Sequence, residues 1–138
     1  MPGNDFTLDD MYQKITFLPA NVKVTSVGGG SAPRIAVLAS TATLMIDVDA
    51  TDVAIVLALI HDALIANPTG TPNPEQPLKI RLKSASSQLL TWGTQFRAGT
   101  DLTPLPAATS GGGLTDRYGF IWNDTDSTWD YVAIAGGF

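Results

Sequence analysis

From Arg34 to Phe138 the chain is a succession of short apolar runs, most with every second residue hydrophobic, broken by Gly, Pro, Asn and Asp. A period of two is the spacing of a strand with one buried face. Strands are predicted over residues 34–39 and 43–48, where Leu44, Ile46 and Val48 share one side and Met45 and Asp47 the other. The clearest alternation spans 78–83, with Leu78, Ile80 and Leu82 inward and Lys79, Arg81 and Lys83 outward. Shorter strands are predicted at 89–92 and 95–97, with Gly93 permitting a bend. The last is a hairpin. Tyr118, Phe120 and Trp122 face Trp129, Tyr131 and Ala133 across a turn at 123–128, and Ile121, Val132 and Ile134 occupy the other side. Both sides of that hairpin are apolar, more than one small domain needs to bury.

Residues 51–66 fit two patterns. Thr51 could cap a helix that is apolar almost all round. The alternative is a hairpin of 52–59 and 63–66 turning at Ile60-His61-Asp62, which the β-branched residues favour. Residues 67–77, with four prolines, and 102–113 read as loops.

The first 33 residues read as an arm. Thr7 can cap one helical turn through 8–14, and 15–18 and 22–27 are strand candidates. Gly28-Gly29-Gly30-Ser31 is a joint; without a Lys-Ser/Thr and a following helix it is not a phosphate loop. The expected organisation is an arm, 1–33, and an all-β domain, 34–138, built as a small antiparallel β-sandwich of jelly-roll-like form.

Composition narrows the chemistry. Eight basic against thirteen acidic residues give a net charge of −5, a poor match for nucleic acid or an anionic membrane. All the acids but Glu75 are Asp, the turn former. The absence of cysteine removes disulfides and thiolate metal sites. Residues 1–20 lack the basic start and apolar core of a signal peptide, and the longest apolar run, 53–60, is too short to span a bilayer. His61 is the single histidine and reads as a turn residue, with no partner for metal or acid–base work. Asp47, Asp49 and Asp52, and separately Asp124 and Asp126, read as turn-capping residues; neither group has the spacing of a calcium loop. There is no Gly-x-Ser-x-Gly elbow and no Ser/His/Asp set, so no enzyme and no cofactor is expected. Trp92, Trp122 and Trp129 could stack on a sugar if exposed, but their alternation with small or polar residues points them inward.

Several segments follow one another along the chain: Asn67-Pro68-Thr69, the 78–83 strand, Leu90-Thr91-Trp92-Gly93, residues 96–101 (Phe-Arg-Ala-Gly-Thr-Asp), Thr115 to Asn123, residues 129–133, and the closing Gly137-Phe138. In order and spacing this resembles a small β module found at the C-terminal ends of tailed-bacteriophage virion proteins, especially tail and head fibres. The resemblance runs from about Thr43 to the end and does not cover the arm. Trp122 stands where Tyr is commoner, and the apolar run at 54–60 is denser than usual.

The resemblance implies a virion structural or attachment protein, commonly a homotrimer, made in the host cytoplasm and carried on the particle surface. The expected partners are copies of itself and a major capsid or other virion protein. The expected job is capsid decoration (cement) or a short fibre. The alternative is a tail-fibre receptor-binding tip or a carbohydrate-binding module for host glycans. Trp92, Phe96, Tyr118, Phe120, Trp122, Trp129 and Tyr131 are the candidate core or subunit-interface residues. Phe6, Tyr12, Ile15 and Phe17 are the candidate anchor in the arm, which would add strands to a partner or lie in its groove.

Overall fold

The structure, a computed structural model, describes residues 31–138. The expectations for the arm, including the anchor residues Phe6, Tyr12, Ile15 and Phe17, lie outside the described residues. Among the described residues there are nine strands and no helix: β1 (Ile35–Leu38), β2 (Thr43–Leu44), β3 (Val53–Leu59), β4 (Ala63–Ile65), β5 (Pro77–Ser84), β6 (Leu90–Trp92), β7 (Phe96–Arg97), β8 (Leu114–Asn123) and β9 (Thr128–Ala135). Six form one sheet in the order β1-β3-β5-β8-β9-β7, and three form a second in the order β2-β4-β6.

Consecutive strands from β1 to β6 alternate between the sheets. Each therefore pairs not with its neighbour in sequence but with the strand one coil away, and every such pair is parallel. Ile35 stands beside Val53 and Val53 beside Lys79; in the small sheet Thr43 stands beside Leu64 and Leu64 beside Thr91. A parallel pair needs a crossover of a dozen residues or more, and here a strand of the opposite sheet supplies it. The chain is thus wound like a short solenoid until β6. Beyond that point the winding stops. Strand β8 runs antiparallel to both β5 and β9, while β7 adds to β9 in parallel.

This corrects two expectations. The all-β class holds, but the large sheet is mixed and the small one parallel, so the antiparallel, jelly-roll-like connectivity does not. The 52–66 segment holds two strands, as the hairpin reading required, yet β3 and β4 do not pair with each other. Ile60-His61-Asp62 is a corner from one sheet to the other. The reason is that both edges of β3 are taken, by β1 and β5, so β4 crosses to the other sheet and buries Ala63 and Ile65 against the core from the side opposite Leu59.

One hydrophobic core fills that space. Leu44, Ile46, Val48, Ile65 and Leu90 enter it from the small-sheet side. Ala54, Val56, Leu78, Ile80, Leu82, Tyr118, Phe120 and Trp129 enter from the large sheet. β5 alternates as its sequence demands, with Leu78, Ile80 and Leu82 sealed. Pro77 opens the strand, where a missing N–H costs least. The β8–β9 turn is made locally: the Asn123 side-chain oxygen accepts from the N–H groups of Thr125 (3.0 Å) and Asp126 (3.1 Å), and Ser127 takes a left-handed φ of 58°. A bulge between Tyr131 and Ala133 then slips the register. Ala133 consequently faces Gly119 rather than Tyr118 and is exposed, so it leaves the aromatic row in which its spacing placed it.

Candidate assembly surface

The seven aromatic residues singled out in the sequence come together. Phe96, Tyr118, Phe120, Trp122, Trp129 and Tyr131 are buried and Trp92 is half-buried, all against the core of one copy. Their rings meet edge-on or tilted: Phe96 and Phe120 at 4.9 Å, Trp122 and Trp129 at 5.2 Å, Trp92 and Phe120 at 5.3 Å. The Trp92 indole N–H donates to the Pro106 carbonyl at 2.7 Å, which pins the 102–107 loop over the cluster. Burial, and then the neighbouring Asp116 charge, push the Tyr118 phenol above its ordinary value. No indole is exposed as a platform for a sugar.

The segments that carry the resemblance prove to be clamps. The Asn67 side chain accepts from the Gln95 N–H (2.9 Å) and donates to Thr94 Oγ1 (3.1 Å). It lies so close to Gly93 that a Cβ there would stand 2.6 Å from the Asn67 backbone nitrogen. Asn-Pro-Thr and Thr-Trp-Gly are therefore one contact written in two places. Asp116, almost wholly buried, accepts from the Ser110 N–H and Oγ–H (both 2.6 Å) and from the Gly137 N–H (3.3 Å). Thr115 pairs with Phe138 through both backbone groups. Arg97 bridges Asp126 (2.9 Å) and Asp130 (2.8 Å), joining β7 to the hairpin turn. Partial burial raises the Asp130 carboxyl, but hydrogen bonds from Asn123, Thr128 and Arg97 outweigh it and leave the group below its usual value. No cluster of three or more potential metal ligands occurs among the described residues.

What the aromatic cluster leaves open is the outer side of the large sheet. The aliphatic strip of Ile35, Val37 and Leu57 is 58–61% exposed. On the hairpin, Val132 is half exposed beside Ile121. Between them is a shallow groove of about 330 Å³, lined by Val53, Pro77, Lys79, Gly119, Ile121 and Val132. Gly119 forms its floor; a Cβ there would come within 3.3 Å of the Ala133 methyl. Lys79, Arg81, Lys83 and Arg117 rise from the same side, and none is ion-paired with another described residue. Sequence spacing alone finds the three cations of β5, but the register that brings Arg117 directly opposite Arg81 is visible only in the fold.

No protein-family model, curated protein or solved structure matches the chain.

Proposed function

We propose that this chain is a structural protein of a tailed-bacteriophage virion, a capsid decoration (cement) or short fibre protein that assembles with copies of itself, as a trimer, and docks on the particle through residues 1–33. The assembly half of the reading is carried by one observation, the uncovered apolar surface on the parallel half of the large sheet. Parallel strands are ordinarily covered on both faces. Here no described element covers the outer face of β1, β3 and β5, and Ile35, Val37 and Leu57 are exposed on it. Contiguous exposed aliphatics of this kind mark interaction surfaces. Among the described residues β1 is an edge strand, which gives a further reason for a neighbour. The virion half rests on the ordered segments from Asn67 to Phe138, which act here as clamps that make a rigid module. The carbohydrate-binding alternative is less well supported, because Trp122 and Trp129 are buried and Trp92 is held by Pro106.

Two measurements test the reading. Sedimentation velocity of the purified chain is expected to give three times the 14.5 kDa protomer mass. A monomer at high concentration would remove the self-assembly. Mass spectrometry of banded particles from the phage that encodes the chain is expected to find it in fixed stoichiometry with the capsid protein. Its absence from the particle would remove the virion role.

A further inference from the structure

Charge is distributed unevenly between the two outer faces of the domain. Four of the six basic side chains among the described residues, Lys79, Arg81, Lys83 and Arg117, stand on the outer face of the large sheet. The register sets Arg81 directly across from Arg117, and like charges opposite each other in a sheet are destabilising. Arg117 has some relief from the Phe138 ring, 5.0 Å from its guanidinium carbon. The nearest acids at the margins, Asp52 and Asp130, are already held by Arg34 and Arg97. Nothing among the described residues neutralises the face.

The outer face of the small sheet is its opposite. No Lys or Arg occurs in residues 35–78 or 84–96, which contain β2, β4 and β6. Met45 (54% exposed) and Leu64 (37%) point outward, with Thr43 and Thr91 beside Leu64 in register and Asp47 and Asp62 at the ends. This sheet is wholly parallel, and no described element covers it on that side. One face is apolar and cationic; the other is apolar and carries only acids.

We propose that these two faces are the two halves of one contact between neighbouring copies: the Lys79, Arg81, Lys83 and Arg117 face of one protomer receives the Met45, Asp47 and Leu64 face of the next. The inference rests on the self-assembly reading above and adds its geometry. Packing the large-sheet face on itself would bring eight cations together without an anion. An isologous dimer through that face is therefore disfavoured, and a heterologous, head-to-tail contact, which closes into a ring when its rotation allows, is favoured.

Two variants test the contact with the full chain. Arg81→Glu with Lys83→Glu cancels the net charge of the cationic face and sets two carboxylates within it; Thr43→Lys with Thr91→Lys cancels the charge of the other face and sets two ammonium groups within it. All four positions lie at the surface, and near-UV circular dichroism checks that each protein keeps its aromatic packing. Each double variant alone is expected to weaken self-association at least about tenfold, because the introduced carboxylates then meet the acids of the small sheet, or the introduced ammonium groups the cations of the large one. Mixed one to one, they are expected to recover association as unlike pairs, since each altered face then meets a complementary one; a closed ring of three always keeps one contact between identical variants, so recovery is read in mixed pairs and not in full trimer. Wild-type assembly that survives in both variants overturns the contact while leaving self-assembly intact, whereas a monomeric wild type overturns self-assembly itself. Tighter binding of the Arg81→Glu, Lys83→Glu protein to wild type than of wild type to itself, with Thr43→Lys, Thr91→Lys assembling as wild type does, would show a face-to-face dimer and also overturn the proposal. Should either double variant unfold, Arg81→Gln and Thr91→Lys carry the same comparison singly.

Discussion

In the winding of β1 to β6 a strand meets its partner a whole coil later, 18 residues from Ile35 to Val53 and 26 from Val53 to Lys79. In the β8–β9 hairpin the partner of Asn123 is Thr128, just across a tight turn. Loop-closure entropy must be met before distant pairs stabilise anything, so the winding depends on the hairpin far more than the hairpin on it. The hairpin also carries the large rings and has its turn pinned by Asn123, while the winding is held by aliphatic side chains and by clamps at its corners. The two regions bury surface to similar completeness, but one specifies itself locally and the other is specified by what it packs against.

The largest expected effect is on the hairpin. Trp129→Ala removes a ring that is 1% exposed and packed on Trp122, and is expected to cost about 3–5 kcal/mol in urea unfolding. In the winding, Ile65→Ala removes a fully buried side chain at the centre of the small sheet and is expected to cost about 2–4 kcal/mol. The kinetics separate the two regions. If the hairpin forms first, Trp129→Ala slows folding, whereas Ile65→Ala mainly speeds unfolding. The reverse pattern in chevron plots would show that the winding nucleates, and would break the comparison.

A smaller effect is expected where the regions are joined. Asn67→Ala strips the clamp from the Gln95 N–H and Thr94 at an exposed corner, for a loss of about 1 kcal/mol by the same measurement. A change of less than a few tenths would mean that Gly93 alone shapes that corner.

The same contrast explains what could be read from the chain. Alternation in 78–83 reports burial correctly, because Leu78, Ile80 and Leu82 face a core that Lys79 and Lys83 cannot enter. The alternation of Leu44, Ile46 and Val48 is equally faithful, although only Thr43–Leu44 is a strand. The aromatic hairpin is legible because its turn chemistry is local. Pairing direction in β1–β6 is not, since a period of two states which side is buried but not which strand lies alongside. The bulge after Tyr131 escapes for the same reason: nothing in Tyr-Val-Ala-Ile marks the slip that exposes Ala133. Of the proposed surface, the three cations of β5 are legible. Arg117 and the oppositely charged face of the small sheet emerge only when register and winding bring separate strands together.

The mildest perturbation probes the point where the winding starts. Arg34, just ahead of β1, donates its backbone N–H (2.9 Å) and Nε–H (3.0 Å) to Asp52, just ahead of β3, and its guanidinium also reaches the Asp49 carbonyl at 2.6 Å. The Arg34 side chain, and then its backbone N–H, hold the Asp52 carboxyl at about 2, below its ordinary value of 3.8. A folded value below the unfolded one means that the pair contributes fully above the ordinary value, and that the contribution is lost as pH falls through about 2. Both side chains are partly open to solvent, so water and salt screen the effect. The wild type is expected to lose slightly more thermal stability than Asp52→Asn between roughly pH 4 and pH 2, with the difference shrinking in high salt. Identical pH profiles would show that the first coil is held by the pairing of β1 with β3 alone, and that its corner contributes nothing a hairpin turn would not.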